Sequence, residues 1–393
     1  MTKRLDETKR LDDRSRPAPT TADSARSSGS LESRRVLILR PRAAGGLLAH
    51  CRDEHRVLAR YGALIIDAGP SLGENPIHAA EHCQLPFGAA LHPWRDLRTV
   101  HLLRRVLRRQ PGIAVHAHGL RSGAVAVLAR VGLRRRGRLV TTLHNRTSPH
   151  GLAAVIGRIL LRIAARGSDL VLGVSPDLVG AARRAGARAA ARAVIPGART
   201  TRPTSDRPQS RAGEMSILVP ARLAPQKGLS TLLDALMQLP PSELAQLRVC
   251  IAGDGPEHAQ LEQRIRRDSL PVTLLGFRRD LPELLTAADV VVQSSVWEGQ
   301  PVALQEAIHA GCAIVATDAG GTRWVTSDAA LLVPTGDPAA LATAISRVLD
   351  PAVREDLRDR ARARSAQLPG DEQLTQQLVS ALWPTSAPTE ETR

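Results

Sequence analysis

The sequence predicts two doubly wound α/β domains joined by a linker, and three observations support this fold class. Short apolar runs of the length of buried parallel strands alternate with helical stretches along the chain. Residues 201–213 have the prolines and polar residues of a linker. The net charge changes sign across this linker, from +21 over residues 34–210 to −6 over residues 211–393. At 393 residues, the chain is long enough for two hydrophobic cores.

Residues 34–200 are predicted to form the first domain. Arg35–Leu39 is a continuous apolar run typical of a buried parallel strand, and Gly45 and Gly46 lead from it into a helix. A strand, a glycine turn and a helix open a doubly wound domain, although any tight turn could require these glycines. Further strands are predicted at residues 63–66, 113–115, 139–143 and 170–172.

Residues 214–368 are predicted to form the second domain. Its strands are predicted at residues 216–219, 248–251, 272–275, 290–292, 313–315 and 331–333. A last helix is predicted at residues 369–383. The polar segments 1–33 and 384–393 lack the apolar residues of a folded core, and we expect both to be disordered.

Three histidines fall at predicted strand ends of the first domain. His116 and His118 follow the strand at residues 113–115, and His144 follows the strand at residues 139–143. Ligands of doubly wound sheets bind outside the carboxyl ends of the strands. For His116 and His118, a structural role as polar strand-end residues with local hydrogen bonds explains the pattern as well as a ligand-binding role does.

The densest chemical signal is the segment 295–311. A loop with Glu298 leads into a helix predicted to begin at Pro301, whose missing N–H suits a first helical turn. Glu306 lies about two turns further along the chain. A helix N-terminus offers unpaired N–H donors and partial positive charge, so this segment could hold a phosphate beside two carboxylates that bind hydroxyl groups. The pattern fits a nucleotide sugar.

Lys227 is the one lysine outside the N-terminal segment, where Lys3 and Lys9 are found. The chain otherwise uses arginine, and its poverty in Lys, Asn, Phe and Tyr is typical of a codon bias toward GC. A lysine that persists against such a bias indicates a functional role.

Several motifs together resemble the signature of the family 4 retaining glycosyltransferases of the GT-B fold. The central match is Glu-x7-Glu ahead of Ala-x-x-Ala-Gly at residues 298–311. Further matches are Ala-Arg-Leu-Ala-Pro-Gln-Lys-Gly at residues 221–228, Ala-Gly-Asp-Gly-Pro at 252–256, Leu-Gly-Phe at 275–277 and Ala-Gly-Gly-Thr at 319–322. The resemblance implies two Rossmann-like domains with a cleft between them and a last helix that crosses back onto the first domain.

The resemblance also implies roles for individual residues. Arg222 and Lys227 would bind the diphosphate, Glu298 would lie by the donor sugar, Glu306 would hold the ribose hydroxyls, and His144 would face the sugar. Further residues are candidates for donor binding: Gly45, Gly46, Gly276, Phe277, Gly299, Gln300, Pro301 and Val302. The chain departs from the family pattern at residues 195–198, where the family has Pro-Asn-Gly, and at Trp324, where it has a glutamate.

The activity implied is transfer of a sugar, with retention of configuration, from a UDP-, GDP- or ADP-linked donor to a glycan, lipid-linked or small-molecule acceptor. The sequence contains no Asp-x-Asp triplet, so we expect no metal and no cofactor other than the donor. Arg222, Lys227 and the amides after Gly299 would stabilise the leaving group. A GT-B sugar-nucleotide epimerase and a non-catalytic module that binds polyanions are the alternatives.

The positive charge is concentrated in the first domain, where residues 34–210 hold 30 Arg and 9 acidic residues. It could meet an anionic membrane surface or an acidic acceptor, or be ordinary solvated surface. Arg104, Arg105, Arg108 and Arg109 form one face of a predicted helix. Such a helix either covers a sheet or contacts anionic headgroups. We expect no nucleic-acid partner.

The cysteines and the N-terminal segment indicate a cytoplasmic location. Cys51, Cys83, Cys250 and Cys312 form no CxxC pair, so they predict neither a zinc site nor a disulfide framework. Residues 1–33 lack the apolar core of a signal peptide, and arginine interrupts every apolar run before it reaches membrane-spanning length. A peripheral position on the inner face of the membrane is compatible with both observations.

Overall fold

The computed structural model describes residues 34–42, 46–71, 79–88, 92–147, 150–197 and 214–384. Two parallel sheets with helices on both faces make up this part of the chain, which confirms the predicted fold class. Several predictions lie outside the described residues: Gly45, the segment 1–33, the linker 201–213, and all of the segment 384–393 except Pro384.

The first sheet has, within the described residues, seven parallel strands in the order β3-β2-β1-β4-β5-β6-β7. The strands are β1 Arg35–Leu39, β2 Leu64–Gly69, β3 Glu81–Gln84, β4 Ala114–His118, β5 Leu139–Leu143, β6 Leu170–Gly173 and β7 Ala190–Arg192. The helices are α1 Gly46–Arg60, α2 Pro93–Arg109, α3 Leu120–Arg130, α4 Gly151–Gly167 and α5 Pro176–Arg184. Helices cover both faces of the sheet, so β4 and β5 are buried along their whole length.

The second sheet has six parallel strands among the described residues, in the order β10-β9-β8-β11-β12-β13. The strands are β8 Met215–Pro220, β9 Leu247–Ala252, β10 Val272–Leu274, β11 Val290–Gln293, β12 Ala313–Thr317 and β13 Leu331–Val333. The helices are α6 Leu229–Met237, α7 Pro241–Leu244, α8 His258–Arg267, α9 Leu281–Ala287, α10 Val302–His309, α11 Thr322–Thr326, α12 Pro338–Arg347 and α13 Pro351–Ser365. Both strand orders place a topological switch point at the carboxyl ends of the central strands.

The last helix, α14 Asp371–Leu382, returns to the first domain. Leu374 and Leu378 pack in the same core as Val36 of β1. The side chain of Gln377 accepts a hydrogen bond from the Val194 amide at 2.7 Å and donates one to the Arg192 carbonyl at 2.8 Å. The chain therefore crosses the cleft a second time, and this crossing ties the two domains together.

Helix α10 begins one residue later than the sequence predicted. Pro301 is the residue that precedes the helix, and its backbone is extended at φ −68° and ψ 102°. Its carbonyl accepts hydrogen bonds from the amides of Leu304 and Gln305 at 3.1 and 3.2 Å. Proline therefore ends the approach loop, and Val302 is the first helical residue.

The predicted basic face of α2 is also only partly free. The Arg104 guanidinium donates hydrogen bonds to the carbonyls of Ala129 and Val131 at the end of α3, so Arg104 ties two helices together. Arg105, Arg108 and Arg109 are exposed. No helix among the described residues is long and apolar enough to cross a bilayer.

Candidate active site

Lys227 and Glu298 form an ion pair in the cleft between the domains. The Lys227 Nζ lies 2.5 Å from Glu298 Oε1, and the Ser295 hydroxyl donates to the same carboxylate oxygen at 2.7 Å. Lys227 ends a short 3-10 turn after β8, and Glu298 lies in the loop after β11. The Glu298 side chain is 8% exposed and that of Lys227 is 24% exposed. The carboxylate is thus held by two donors, while the ammonium group stays accessible from the cleft.

The backbone around Lys227 allows this close approach. Gly228 has φ +60°, and a Cβ atom at this position would lie 2.2 Å from the Ser294 carbonyl oxygen. The Ser294 hydroxyl donates to the Lys227 carbonyl at 3.0 Å. Only glycine combines this left-handed conformation with so close a neighbour. Gly228 therefore sets the position of Lys227 against the end of β11.

A cavity of about 520 Å³ opens in front of the ion pair. Both domains line it, and it brings together most of the predicted site residues: Gly46, His144, Arg222, Lys227, Glu298, Gly299, Gln300, Pro301 and Val302. It also contains residues that the sequence did not indicate, among them Arg42, Asn145 and Gln293. Arg42 and Arg222 are exposed, so with Lys227 they make the cavity wall positive. A volume of this size suits a small-molecule ligand.

The N-terminus of α10 adds to this positive character. Val302 and Ala303, its first two residues, line the cavity. Backbone amides at the start of an α-helix have no intrahelical acceptor, and the helix end carries partial positive charge. This end of the cavity can therefore bind an anion such as a phosphate.

Glu306 lies in an adjoining cavity of about 630 Å³ rather than beside Glu298. The two cavities share Gly46, Ile195 and Val302 in their walls, so they are neighbouring parts of one cleft. Burial raises the pKa of Glu306 to about 7. The Glu306 carboxyl group is therefore poised between its neutral and ionised forms near neutral pH.

Gly276 and Phe277 line neither of these two cavities. The Gly276 carbonyl accepts a hydrogen bond from the Gly253 amide at 2.8 Å, in an isolated bridge beyond β9. Phe277 is 74% exposed. The ligand-free structure thus leaves these two candidates at the rim of the second domain.

The motif loop also fastens the two domains to each other. The Gln300 side chain donates to the Ala193 carbonyl at 2.5 Å, and the Trp297 indole donates to Asp177 at 3.1 Å. A Cβ atom at Gly299 would lie 2.7 Å from the Val174 side chain. Because this loop contacts the first domain directly, the geometry of the cleft depends on the same segment that presents Glu298.

The two departures from the family pattern take part in contacts between the domains. The Gly197 amide donates to the Gln305 side chain at 3.0 Å. The Trp324 carbonyl accepts from Arg192 at 3.2 Å, and the Arg192 guanidinium lies 4.8 Å from the centroid of the Trp324 ring. Trp324 therefore binds a cation of the first domain, where a carboxylate at the same position would form an ion pair.

Behind His144, a buried cluster of polar side chains extends into the first domain. His118 Nδ1 lies 3.1 Å from His144 Nε2, and His118 Nε2 lies 2.8 Å from a Glu54 oxygen. His50 and His116 contact the same carboxylate at 2.9 and 3.2 Å. His116 and His118 are fully buried in β4, so they support the site from behind and do not touch the cavity.

The sequence contained little that could identify this cluster. Glu54 and His50 lie one turn apart on α1, which is a common spacing on any helix. Ligand atoms of His50, Glu54 and His118 lie within 4.8 Å of one another, a distance that a metal ion could bridge. Burial, with the neighbouring His118, holds the pKa of His144 well below its ordinary value, so the His144 imidazole is neutral.

Two family models match the chain, and together they cover most of it. The model of the glycosyl transferase 4-like domain matches residues 34–198, and that of the glycosyl transferases group 1 matches residues 214–351. The chain belongs to the group 1 glycosyl transferases of the GT-B fold. The family resemblance of the motifs is thereby confirmed, and each match falls on one of the two sheets.

This group 1 glycosyl transferase is similar to curated proteins of bacteria and plants. One is the UDP-Gal:alpha-D-GlcNAc-diphosphoundecaprenol alpha-1,3-galactosyltransferase of Escherichia coli, 30% identical over 33% of this chain and 35% of that protein. Another belongs to the phosphatidylinositol N-acetylglucosaminyltransferase of Arabidopsis thaliana, and it is 26% identical over 64% of this chain and 57% of that protein. The matches thus span only about a third to somewhat over half of these relatives.

Solved structures share the fold of this group 1 glycosyl transferase. The crystal structure of Anabaena Alr3699/HepE in complex with UDP superimposes with a TM-score of 0.70 at 23% identity. The superposition covers 88% of this chain and 99% of that one. This likeness confirms the GT-B architecture with its two sheets and intervening cleft.

Proposed function

We propose that the protein is a glycosyltransferase that moves a sugar from a nucleoside diphosphate to a hydroxyl group of an acceptor. One observation carries the proposal: a single cavity joins Arg222, Lys227 and the N-terminus of α10 to His144 on the opposite domain. The positive wall suits a diphosphate, and the polar wall across from it suits a sugar. Family membership supports the same conclusion.

The chemistry asks most of the cationic wall. As the bond between the sugar C1 and the diphosphate oxygen breaks, the leaving diphosphate gains negative charge. Preorganised donors that face this charge stabilise the transition state more than the ground state. Lys227, Arg222 and the first amides of α10 are such donors, and Arg42 is a fourth from the first domain. In this mechanism the protein supplies the counter-charge itself, so transfer proceeds without a metal ion.

Retention of configuration is part of the proposal. The acceptor oxygen would attack C1 from the face that the diphosphate leaves, and the acceptor proton would pass to the departing phosphate oxygen. Glu298 would then position the sugar and Lys227 without itself forming a bond to C1. The hydrogen bonds from Lys227 and Ser295 to the same Glu298 oxygen support this positioning role, since they hold the carboxylate in one orientation.

A surface of α2 suits a lipid-linked acceptor at the cytoplasmic face of a membrane. Trp94 is 77% exposed, and Arg98, Arg105 and Arg108 follow it at helical spacing on one exposed stripe. None of these three arginines forms an ion pair with a described residue. Tryptophan prefers the membrane interface, and arginine meets anionic headgroups. Both similar curated proteins have a phosphate-containing lipid in their names, which fits an acceptor of this class.

Turnover of nucleotide sugars tests the proposal directly. The purified protein is incubated with UDP-glucose, UDP-galactose, GDP-mannose and ADP-glucose, and the released nucleoside diphosphate and the sugar are quantified. We expect slow hydrolysis of at least one donor, unchanged by EDTA and lost in Lys227→Ala. A requirement for added Mg²⁺ or Mn²⁺ would contradict the metal-free mechanism. A new free sugar isomer would instead indicate an epimerase, and no turnover of any donor with or without acceptors would contradict the transferase.

A further inference from the structure

The cluster behind the cavity forms a chain of hydrogen bonds that ends at His144. Its members are Glu54 on α1, His118 at the end of β4 and His144 after β5. Glu54 is 1% exposed and His118 is completely buried, so water cannot replace either contact. His144 is half-buried and lines the cavity. The chain therefore connects a buried carboxylate to a side chain that a ligand can reach.

The Glu54 carboxylate can only accept hydrogen bonds when it is ionised. Although burial acts to raise its pKa, the imidazoles of His116, His118 and His50 hold the pKa of Glu54 well below its ordinary value. Since His118 Nε2 lies 2.8 Å from a Glu54 oxygen, His118 must carry its proton on Nε2.

His118 is neutral, because burial lowers its pKa to about 4. A neutral imidazole has one N–H and one acceptor nitrogen. With the proton on Nε2, His118 Nδ1 is an acceptor, so the His144 Nε2 that lies 3.1 Å away must be its donor. The ring centroids are 5.4 Å apart at an interplanar angle of 29°, which places the N···N contact between the ring edges.

One nitrogen then remains on His144. Its Nδ1 carries no proton, and no described residue forms a hydrogen bond with it. We propose that Glu54 and His118 are positioning residues that hold His144 in the Nε2–H tautomer, so that His144 Nδ1 accepts a hydrogen bond from a hydroxyl group of the donor sugar. The identity of the ligand rests on the proposed function, whereas the tautomer does not.

The tautomer determines which sugars fit. An acceptor nitrogen at this position rewards a hydroxyl group on the sugar and leaves a deoxy sugar without that bond. If the Nε2 proton were instead on Nδ1, the same side chain would donate to the ligand and would favour a sugar carboxylate or carbonyl oxygen. Glu54 thus controls sugar selectivity from behind the cavity without touching the ligand.

The tautomer can be measured in the ligand-free protein. Long-range ¹H–¹⁵N correlation spectra of protein labelled with ¹⁵N-histidine distinguish protonated from unprotonated ring nitrogens, and the signal lost in His144→Gln identifies His144. We expect His144 with a proton on Nε2 and none on Nδ1 at neutral pH. A proton on Nδ1, or on both nitrogens, would overturn the proposal. Since no ligand is present, this result is independent of whether the protein is a glycosyltransferase.

Glu54→Gln tests the role of the carboxylate. A glutamine amide can donate as well as accept, so it no longer dictates the His118 tautomer, and a second His144 tautomer should appear. With UDP-glucose as the probe, we expect kcat/KM for hydrolysis to fall about tenfold, the effect of one lost hydrogen bond. The affinity for UDP, which has no sugar, should not change. An unchanged His144 tautomer in Glu54→Gln, or equal losses for UDP and UDP-glucose, would overturn the proposal.

His55→Gln is the matched control. His55 is also a fully buried histidine of α1, but it contacts the Cys51 carbonyl at 2.6 Å and Asp67 at 3.5 Å, away from the chain of hydrogen bonds. We expect it to alter stability and leave the His144 signals as they are. If Glu54→Gln does not fold, the tautomer of the wild-type protein still decides.

Metal analysis of the purified protein gives a further check. The ligand atoms of His50, Glu54 and His118 are close enough for a metal ion, and an ion would replace the hydrogen bonds on which the tautomer depends. We expect no stoichiometric metal. One equivalent of zinc, whose removal shifts the His118 signals, would overturn the proposal and indicate a metal centre.

Discussion

The Lys227 ammonium lies 2.5 Å from the Glu298 carboxylate, at the point where the turn after β8 meets the loop after β11. In the ligand-free protein, Lys227 neutralises a carboxylate that is 8% exposed. When a diphosphate enters the cavity, the same ammonium can also bind its oxygens. Lys227 therefore stabilises both the fold and the bound anion, and these two effects can be separated by experiment.

The first prediction concerns stability. Lys227→Met leaves the buried Glu298 carboxylate with Ser295 as its remaining donor, so the free energy of unfolding should fall by about 1–3 kcal/mol. The double variant Lys227→Met/Glu298→Gln removes the buried charge and should recover most of this loss, but not the activity. Chemical denaturation of both variants measures the difference.

The control is Arg323→Met, which removes an exposed ion pair with Asp318 and should change the free energy of unfolding by less than about 1 kcal/mol. A double variant that is as unstable as Lys227→Met would show that the loss does not come from the unpaired carboxylate.

The second prediction concerns turnover. Arg222→Ala and Lys227→Ala each remove a charged donor that faces the leaving diphosphate, so kcat should fall about 100-fold or more. Arg222 is exposed, and its loss should leave the melting temperature unchanged. Steady-state hydrolysis of the best donor measures the effect. Full activity in either variant would contradict the assignment of the cationic wall.

The third prediction follows from the raised pKa of Glu306, which is about 7 in the folded protein against 4.5 ordinarily. The folded state holds this proton more tightly than the unfolded chain does. Glu306 therefore costs no stability below about pH 4.5, and its cost grows as the pH rises toward 7 and is complete above it. Glu306→Gln should raise the free energy of unfolding by about 1–3 kcal/mol at pH 8 and by much less at pH 5.

The same group should govern donor affinity. Ribose hydroxyls bind an ionised carboxylate more strongly than a neutral one. Donor affinity in the wild type should therefore rise with pH between 6 and 8, and it should be flat in Glu306→Gln. Calorimetric titrations across this range measure it. A rise of the same size in the variant would exclude Glu306 as the group that titrates.

The fourth prediction concerns the membrane. Each arginine near an anionic surface contributes about 1 kcal/mol, so Arg98, Arg105 and Arg108 changed together to Gln should weaken binding to anionic vesicles about 100-fold. Binding of the wild type should weaken with salt, because it is electrostatic. Co-sedimentation with anionic and neutral vesicles at low and high salt measures both effects.

A matched control carries the same change in charge on the second domain, with the exposed Arg266, Arg279 and Arg347 changed to Gln. It should bind like the wild type. Equal binding of wild-type protein to neutral and anionic vesicles would leave the stripe on α2 as ordinary surface and would favour a water-soluble acceptor.

The buried central strands were predictable from sequence because both faces of each are covered, so they appear as continuous apolar runs such as Val290–Gln293. The edge strand Glu81–Gln84 was not predictable, since it is polar and mostly exposed. Ala190–Arg192 was missed for a similar reason, as three residues at the other edge make no periodic pattern. Strand length and burial, more than propensity, determined what could be predicted.

The site shows the same division. Lys227 and Glu298 belong to local motifs with fixed spacing, and the structure brings them into contact. Arg42 and Glu54 lie in the first domain and approach the site only through folding, so no local pattern indicated them. Residues that act from another domain, or from behind another side chain, become visible only when the packing is known.

The central claim is that the Lys227–Glu298 cavity binds a nucleoside diphosphate sugar, and a thermal-shift screen tests it most directly. Wild-type protein and Lys227→Ala are heated with UDP-, GDP- and ADP-sugars, each at a saturating concentration and beside its free nucleoside diphosphate. We predict that one nucleotide series raises the melting temperature of the wild type, since a ligand at about 100 times its Kd stabilises by about 2.7 kcal/mol. Lys227→Ala should lose most of this shift. No shift with any nucleotide, or the same shift in wild type and variant, would contradict the claim.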